Sequence, residues 1–501
     1  MNGTVTMIFW DGCVSGCDGL NYIFFSRILM SKAIFWFRQD LRLFDNPALY
    51  KACYNHSEII LLYIQDKSLD EVKKTAQSWW LHHSLKKLTE SLQAHQLSLT
   101  LKTGQVEDIF QQLLSSHPID AVYWNRCYEP MHIARDQKLK LWLKQKEIHT
   151  ESFNGFLLNE PWEVINQQGG PYKVFTPFWK QCLKQMNIKP EVHITKWPKA
   201  LICDGENLED WQLLPTNPNW AQGFSSYWSP GEEGAKQKLQ EFMNNKLYHY
   251  KEARNNPAIQ ATSCLSPHLH FGEISPWKIF RACCQYQLQH PEHDTNTQHF
   301  MSELGWREFS YSLLYYFPKL TTDNFRPEFD QFPWHQYPEG LERWKRGKTG
   351  YPIVDAGMRE LWHTGTMHNR VRMIVASFLI KDLFIDWREG AKWFDRTLLD
   401  ADMASNYASW QWVAGSGADA APYFRIFNPC LQGEKFDPQG AYVRTWVKEL
   451  QSVPNKWIHH PWDAPSSALG ITLGLDYPHP MVDHNQARHK ALGYYQKIKG
   501  Q

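Results

Sequence analysis

The chain has no run of apolar residues long enough to cross a bilayer. Its early apolar stretches, residues 7–10 and 22–30, are separated by Asp11, Gly12, Gly16 and Asp18 and have no basic leader. Neither a membrane partner nor a secretory signal is expected from that pattern, and a cytoplasmic monomer is the expectation. A C-x-x-C pair is also missing from the 10 cysteines, and Cys13 with Cys17 fits no metal-ligand spacing. Reduced thiols and no resident metal follow as expectations. Strong net charge is absent too: at +1, nucleic-acid binding would have to come from a local basic patch. What the chain has in quantity is tryptophan, 24 residues, most of which are expected in the core or at interfaces.

Along the chain, short apolar runs at 33–37, 59–64, 97–101 and 121–124 read as buried strands, with helices between them, the clearest at 78–92. Such alternation predicts a parallel, doubly wound sheet covered on both faces over residues 31–153. The turn after its first strand reads Phe37-Arg38-Gln39-Asp40, not G-x-G-x-x-G, so dinucleotide binding there is not supported. Residues 154–226, rich in Pro, Gly, Asn and Trp, read as a connector. Strand signals then cease, and helical patterns at 232–244, 276–287, 300–316, 353–363, 369–383 and 393–399 predict a larger, all-α domain over 227–501. Residues 1–30 fit neither domain and read as an extension, with Met30 directly before the first strand.

The segments that carry chemistry lie mostly in the second domain: TSCLS at 262–266, ELGWREF at 303–309, GKTGYP at 347–352, MHNRVRM at 367–373 and DADMASNYASWQW at 400–412. The hydroxyls of Thr262, Ser263 and Ser266 suit a pyrophosphate, although on their own they read first as a helix N-cap. The stretch 341–372 carries seven Lys/Arg against three Asp/Glu, a basic surface with aromatics interleaved, as nucleic-acid binding needs. With WFRQDLR at 36–42 and YFRIFNP at 423–429, these segments in this order resemble the DNA photolyase/cryptochrome family from Ser31 onward, and within it a class I cyclobutane pyrimidine dimer photolyase.

That resemblance implies an α/β Rossmann-like antenna domain followed by an all-α FAD-binding domain, which acts on damaged DNA. It implies FAD contacts from Tyr250, Thr262, Ser263, Cys264, Leu265, Ser266, Arg372, Asp400, Ala401, Asp402 and Asn406, the last facing the reactive flavin nitrogen. Cys264 departs from the Arg that relatives often carry there, so a charged phosphate contact is missing. Trp410, Trp387 and Trp334 match the chain that passes electrons from the surface to the flavin. Trp306 and Trp412 match the indoles that wall the lesion pocket, Glu303 and Asn369 the groups that bond the thymine edges, and Arg254, Arg307, Arg370 and Arg425 the phosphate or rim contacts.

Which lesion is expected turns on Asn369 and Met373, where the 6-4 branch carries histidines that supply a proton. Their absence implies cyclobutane splitting by a loaned and returned electron, with Glu303 steadying the reacting dimer. The alternative is a cryptochrome-type photoreceptor, which signals through a carboxy-terminal tail; no long tail follows Lys499, so repair is the expectation. A second, antenna chromophore is implied near 126–136, and a methenyltetrahydrofolate or a deazaflavin both remain open; Met131 departs from the Asn-Glu pair of folate-type relatives.

Overall fold

The computed structural model describes residues 31–67, 75–420 and 424–499; the expected extension at 1–30 lies outside them. Five strands, β1 (Lys32–Phe37), β2 (Glu58–Asp66), β3 (Leu99–Gly104), β4 (Ala121–Asn125) and β5 (His149–Phe153), pair in the order β3-β2-β1-β4-β5. A short β6 (Lys199–Ala200) adds to β2, and every pairing is parallel. The central strands are apolar throughout because both faces are covered: Ala33, Phe35 and Leu61 pack into one core layer, Ile34, Trp36, Ile60 and Leu62 into the other. Helices α1 (Pro47–Asn55), α2 (Ala76–Gln93), α3 (Val106–Ser116) and α4 (Pro130–Gln145) complete this domain.

The connector holds more order than its composition suggested. It contains β6 and α5 (Phe175–Gln185), whose buried Phe178, Trp179 and Cys182 face the helical domain. That domain runs through α6 (Glu232–Asn245), α7 (Tyr250–Ala253), α8 (Ser266–His270), α9 (Pro276–Gln289), α10 (Asp294–Tyr316), α11 (Pro338–Lys345), α12 (Pro352–Thr364), α13 (Asn369–Ser377), α14 (Trp387–Thr397), α15 (Met403–Ala414), α16 (Pro429–Phe436), α17 (Ala441–Trp446), α18 (Ser466–Leu469) and α19 (His484–Lys499). The single helix expected at 369–383 ends as an α-helix at Ser377 and continues as one widened turn, where Leu383 N–H reaches back five residues to the Phe378 carbonyl. No helix among the described residues is long and apolar enough to cross a membrane. The described cysteines are free thiols.

The two domains meet through buried polar contacts. The Arg42 guanidinium, 1% exposed, donates to the carbonyls of Phe44, Asp45, Gly155 and Gly272, which belong to the sheet domain, the connector and the helical domain. Gly272 adopts φ +64°, and a Cβ there would stand 2.0 Å from the Gln39 carbonyl oxygen; only glycine lets the chains approach so closely. Glu273 accepts from the Trp80 indole at 3.0 Å and the Gly231 N–H at 2.7 Å. Gln77 of α2 donates to the Ala401 carbonyl at 2.8 Å. These bonds join the first domain to the segment carrying Asp400 and Asp402.

Candidate flavin and DNA site

Residues 262–266 form a polar turn ahead of α8. Cys264 takes φ +54°, unusual for a side-chain-bearing residue. Ser263 Oγ accepts from the Leu265 N–H at 3.4 Å, and Leu265 itself is buried. Ser266 Oγ donates to Asp400 Oδ2 at 2.6 Å, and the Arg372 guanidinium reaches the same oxygen at 2.9 Å. Burial pushes the Asp400 carboxyl up, but Arg372 and Ser266 outweigh it and hold it below its ordinary value. The other oxygen, Oδ1, is buried with no partner. An ionised carboxylate with one lone-pair set unused needs a donor, and the hydroxyl and N–H groups of ribose or a flavin ring are such donors. The residues therefore fit FAD. Asp402 differs from the expected contact in one respect: it accepts from the Ser405 N–H at 2.6 Å and caps α15.

Asn406 and Trp410 lie one turn apart on α15 and share a face. Asn406 is buried, and its Nδ2 donates to the Ala391 carbonyl at 3.1 Å and to Asp395 Oδ1 at 2.6 Å. Trp410, 2% exposed, and Trp387, 0% exposed, belong to one core cluster, and Trp334 packs at its margin, half-buried. Trp410 lies over α14 so closely that a Cβ on Gly390 would be 2.1 Å from its ring. Trp387 donates its indole N–H to Asn324 at 2.9 Å, while Trp334 sits 4.4 Å from Phe332, centroid to centroid. Trp410 and Trp387 are thus both interior, and of the three Trp334 is the one that reaches toward the surface.

Of the expected lesion contacts, Glu303 and Trp306 lie on α10, Asn369, Arg370 and Met373 on α13 and Trp412 on α15. Trp306 stacks on Phe175 with centroids 3.8 Å apart and planes at 8° and remains 36% exposed. Trp412 is half-buried, with its indole N–H bonded to the Asp419 carbonyl at 3.2 Å. Glu303 pairs with Arg254, and Arg254 lies 5.3 Å from the Tyr250 ring, which is buried beneath it. Asn369 is exposed at the start of α13, Arg370 bonds Asn255 at 2.7 Å, and Met373 Sδ lies 3.8 Å from Arg370. Burial together with Arg254 and Arg425 depresses the Arg370 pKa: cations crowd one rim, as an approaching phosphate chain would require. Buried Lys381 holds the Arg425 carbonyl.

Arg307 does not join that rim. Its guanidinium turns inward, donating to the Phe156 carbonyl at 2.9 Å and stacking 4.2 Å from the Phe156 ring. Its neighbour Glu308 accepts the N–H groups of Leu158 and Asn159 at 2.8 and 3.1 Å. Arg307 is therefore a strut between connector and α10, corrected from a phosphate contact. His368 caps α13, its Nδ1 accepting from the Arg370 N–H at 3.2 Å.

A second cleft of about 310 Å³ opens at the end of the sheet and is lined by Trp124, Arg126, Asp136, Lys140, Trp162 and Tyr315. It includes residues of the 126–136 segment. At the turn between α9 and α10, His290, Glu292 and His293 bring ligand atoms within 4.8 Å of one another, a grouping the sequence reading passed over. Also missed were Phe175, concealed in the connector, and Asp395, eleven residues before Asn406; no local motif marks either.

Comparison with known proteins agrees with this geometry. Residues 33–199 match the family model described as DNA photolyase, and residues 300–497 that of the FAD binding domain of DNA photolyase. The chain is 49% identical over 476 residues to the deoxyribodipyrimidine photo-lyase of Agrobacterium fabrum, covering 93% of this chain and 98% of the relative. It is 37% identical over 478 residues to Cryptochrome-2 of Arabidopsis thaliana, 91% and 77% covered. A crystal structure of a bacterial class III photolyase from Agrobacterium tumefaciens superimposes with TM-score 0.90 at 48% identity, covering 94% and 98%. The class I assignment is thus not supported. The motif residues that suggested it carry the family without the class.

Proposed function

The chain belongs to the DNA photolyase/cryptochrome family, and from that premise we propose that it is a light-driven lyase that splits cyclobutane pyrimidine dimers in DNA. The observation that carries this reading is the joint presence of Glu303, Trp306, Asn369 and Trp412 in a chain whose Asp400 carboxylate keeps an unpartnered buried oxygen. FAD, when bound and reduced, would supply the light-driven electron chemistry. Arg372, Asp400 and Ser266, bonded to one another, would hold the cofactor's polar groups. The rings of Trp306 and Trp412 receive the flipped dimer, and Arg254, Arg370 and Arg425 take the phosphates beside it. Glu303, oriented by Arg254, bonds the thymine edge and steadies charge as it develops. With Asn369 and Met373 in place of histidines, no acid stands at those positions to drive the 6-4 reaction. Trp410, Trp387 and Trp334 carry reducing electrons inward.

The cleft at Arg126, Lys140 and Trp162 is proposed as the antenna seat, with indole and phenol faces for a ring and two cations for an acidic tail; folate and deazaflavin both meet that description. The test is repair of a thymine dimer in single-stranded oligonucleotide by the purified, reduced protein, with and without blue light, followed by recovery of thymine absorbance. Light-dependent recovery is expected. Bound, reducible FAD without recovery would favour the photoreceptor reading, which the similarity to Cryptochrome-2 keeps in view.

A further inference from the structure

Asp395, on α14, lies outside every motif yet touches the residue expected to face the flavin's reactive nitrogen. Its Oδ1 accepts from Asn406 Nδ2 at 2.6 Å and its Oδ2 from the Tyr407 hydroxyl at 2.7 Å. Asn406 Nδ2 also donates to the Ala391 carbonyl at 3.1 Å. Two acceptors, a carboxylate and a carbonyl, thus converge on one atom of the amide. That atom must be the NH2 group, because a carbonyl oxygen there would face two acceptors with no proton between them. Both amide hydrogens are used, so the outward-facing atom is Oδ1, an acceptor; no donor among the described residues reaches it.

We propose that Asp395 is a positioning residue that locks the Asn406 amide with its oxygen toward the flavin, so that Asn406 accepts a hydrogen bond from N5 whenever N5 carries a proton. The proposal rests on the FAD reading above. N5 is protonated in reduced flavin and bare in oxidised flavin. An outward oxygen therefore favours the reduced cofactor that repair requires, whereas an outward NH2 would favour the oxidised one. An amide free to flip would favour neither.

The surroundings fit a lock that works through hydrogen bonds. Asp402 at the start of α15 and Glu129 after β4 are the like charges facing Asp395, and burial with these neighbours pushes its carboxyl up to about 6. From α2 the neutral Gln77 reaches only its backbone carbonyl, at 3.5 Å. On its own helix Lys392 is engaged by Glu389 at 3.1 Å, and on the adjoining turn Lys381 and Asp382 are held by the Arg425 carbonyl and His484. Whether charged or neutral, the carboxyl keeps an oxygen for Asn406, since a protonated Oδ2 can donate to Tyr407.

The test uses the full chain reconstituted with FAD labelled with nitrogen-15 at N5 and chemically reduced, following exchange of the N5 proton with solvent by NMR. Asp395→Asn retains an acceptor without the charge and should exchange as the unaltered protein does. Asp395→Leu removes the acceptor and should exchange at least tenfold faster. An unchanged rate in Asp395→Leu would overturn the proposal, as would Asp395→Asn exchanging as fast as Asp395→Leu. A second measurement needs no variant at Asp395: in apoprotein labelled at asparagine, the Asn406 side-chain amide should be protected from exchange, and an unprotected amide would equally refute the lock. If the unaltered protein bound no FAD while that amide stayed protected, the cofactor reading would fail and the lock would stand without its proposed purpose.

Discussion

The interior of the sheet domain and the interior around Asp400 are both buried, but they are closed in different ways. In the sheet domain, Ile34, Ile60, Leu62, Phe110 and Val122 meet side chain to side chain, and the unpartnered polar atoms of that layer are two neutral indole N–H groups, of Trp36 and Trp124. Around α8, α13 and α15, Asp400 Oδ1, His368 Nε2 and Trp410 Nε1 are shut from water without partners. Such atoms cost of the order of 1–3 kcal/mol each when left unpaired. The first interior is closed chiefly by apolar contact; the second holds a carboxylate oxygen, Asp400 Oδ1, that a bound donor would satisfy. A core of the first kind contributes stability, and a site of the second kind exchanges some stability for affinity.

That contrast can be broken deliberately. Phe110→Ala, which empties a position 0% exposed, should cost about 3–5 kcal/mol of stability and leave the absorption spectrum of bound flavin unchanged; calorimetry with a spectrum of the native fraction checks both. Asp400→Asn should do the reverse. The apoprotein should melt within a few degrees of the unaltered chain while FAD affinity falls about 100-fold, or about 2.7 kcal/mol, by fluorescence titration. A large loss of apoprotein stability would mean that Asp400 serves the fold and not a ligand.

Glu308 sharpens the comparison, since burial pushes it up to about 7 although Arg307 and two backbone N–H groups oppose the shift. A carboxyl raised in the folded state gives its full stability below its unfolded value of about 4.3 and loses it as pH climbs to about 7. Both N–H groups end on one oxygen, so Glu308→Gln keeps the acceptor. It should be more stable than the parent above pH 7 by on the order of 2 kcal/mol, with no difference near pH 4, as paired denaturant titrations would show. Trp410→Phe should be the mildest for the fold, about 1 kcal/mol, yet should abolish photoreduction while sparing repair by chemically reduced protein. Lost repair under those conditions would remove Trp410 from the electron path.

The sheet domain was legible because buried parallel strands are written as continuous apolar runs, and the expected strands at 33–37 and 121–124 fall within β1 and β4. β5 was not, since His149, Thr150, Glu151 and Ser152 form an edge strand whose polar side chains break no hydrophobic rule and announce no strand. At the site, pairs within one motif or joined by a strong charge complement, such as Arg372 with Asp400, could be placed from the sequence. Arg307 could not: an arginine among aromatics reads as a nucleic-acid contact, and only the position of the Phe156 carbonyl shows that it points inward. Asp395 was invisible for a related reason, because its meaning depends on which way an amide on another helix is turned.

The Arg42 contacts have a consequence for how the molecule comes apart. A guanidinium spending its N–H groups on four carbonyls from three parts of the chain cannot release one part without stranding charge among unmatched dipoles in the others. The boundary near residue 226 is therefore one of topology and not of cooperativity. Heating should melt both domains in a single transition, and a fragment cut at the connector should emerge as an aggregating chain instead of an independent domain.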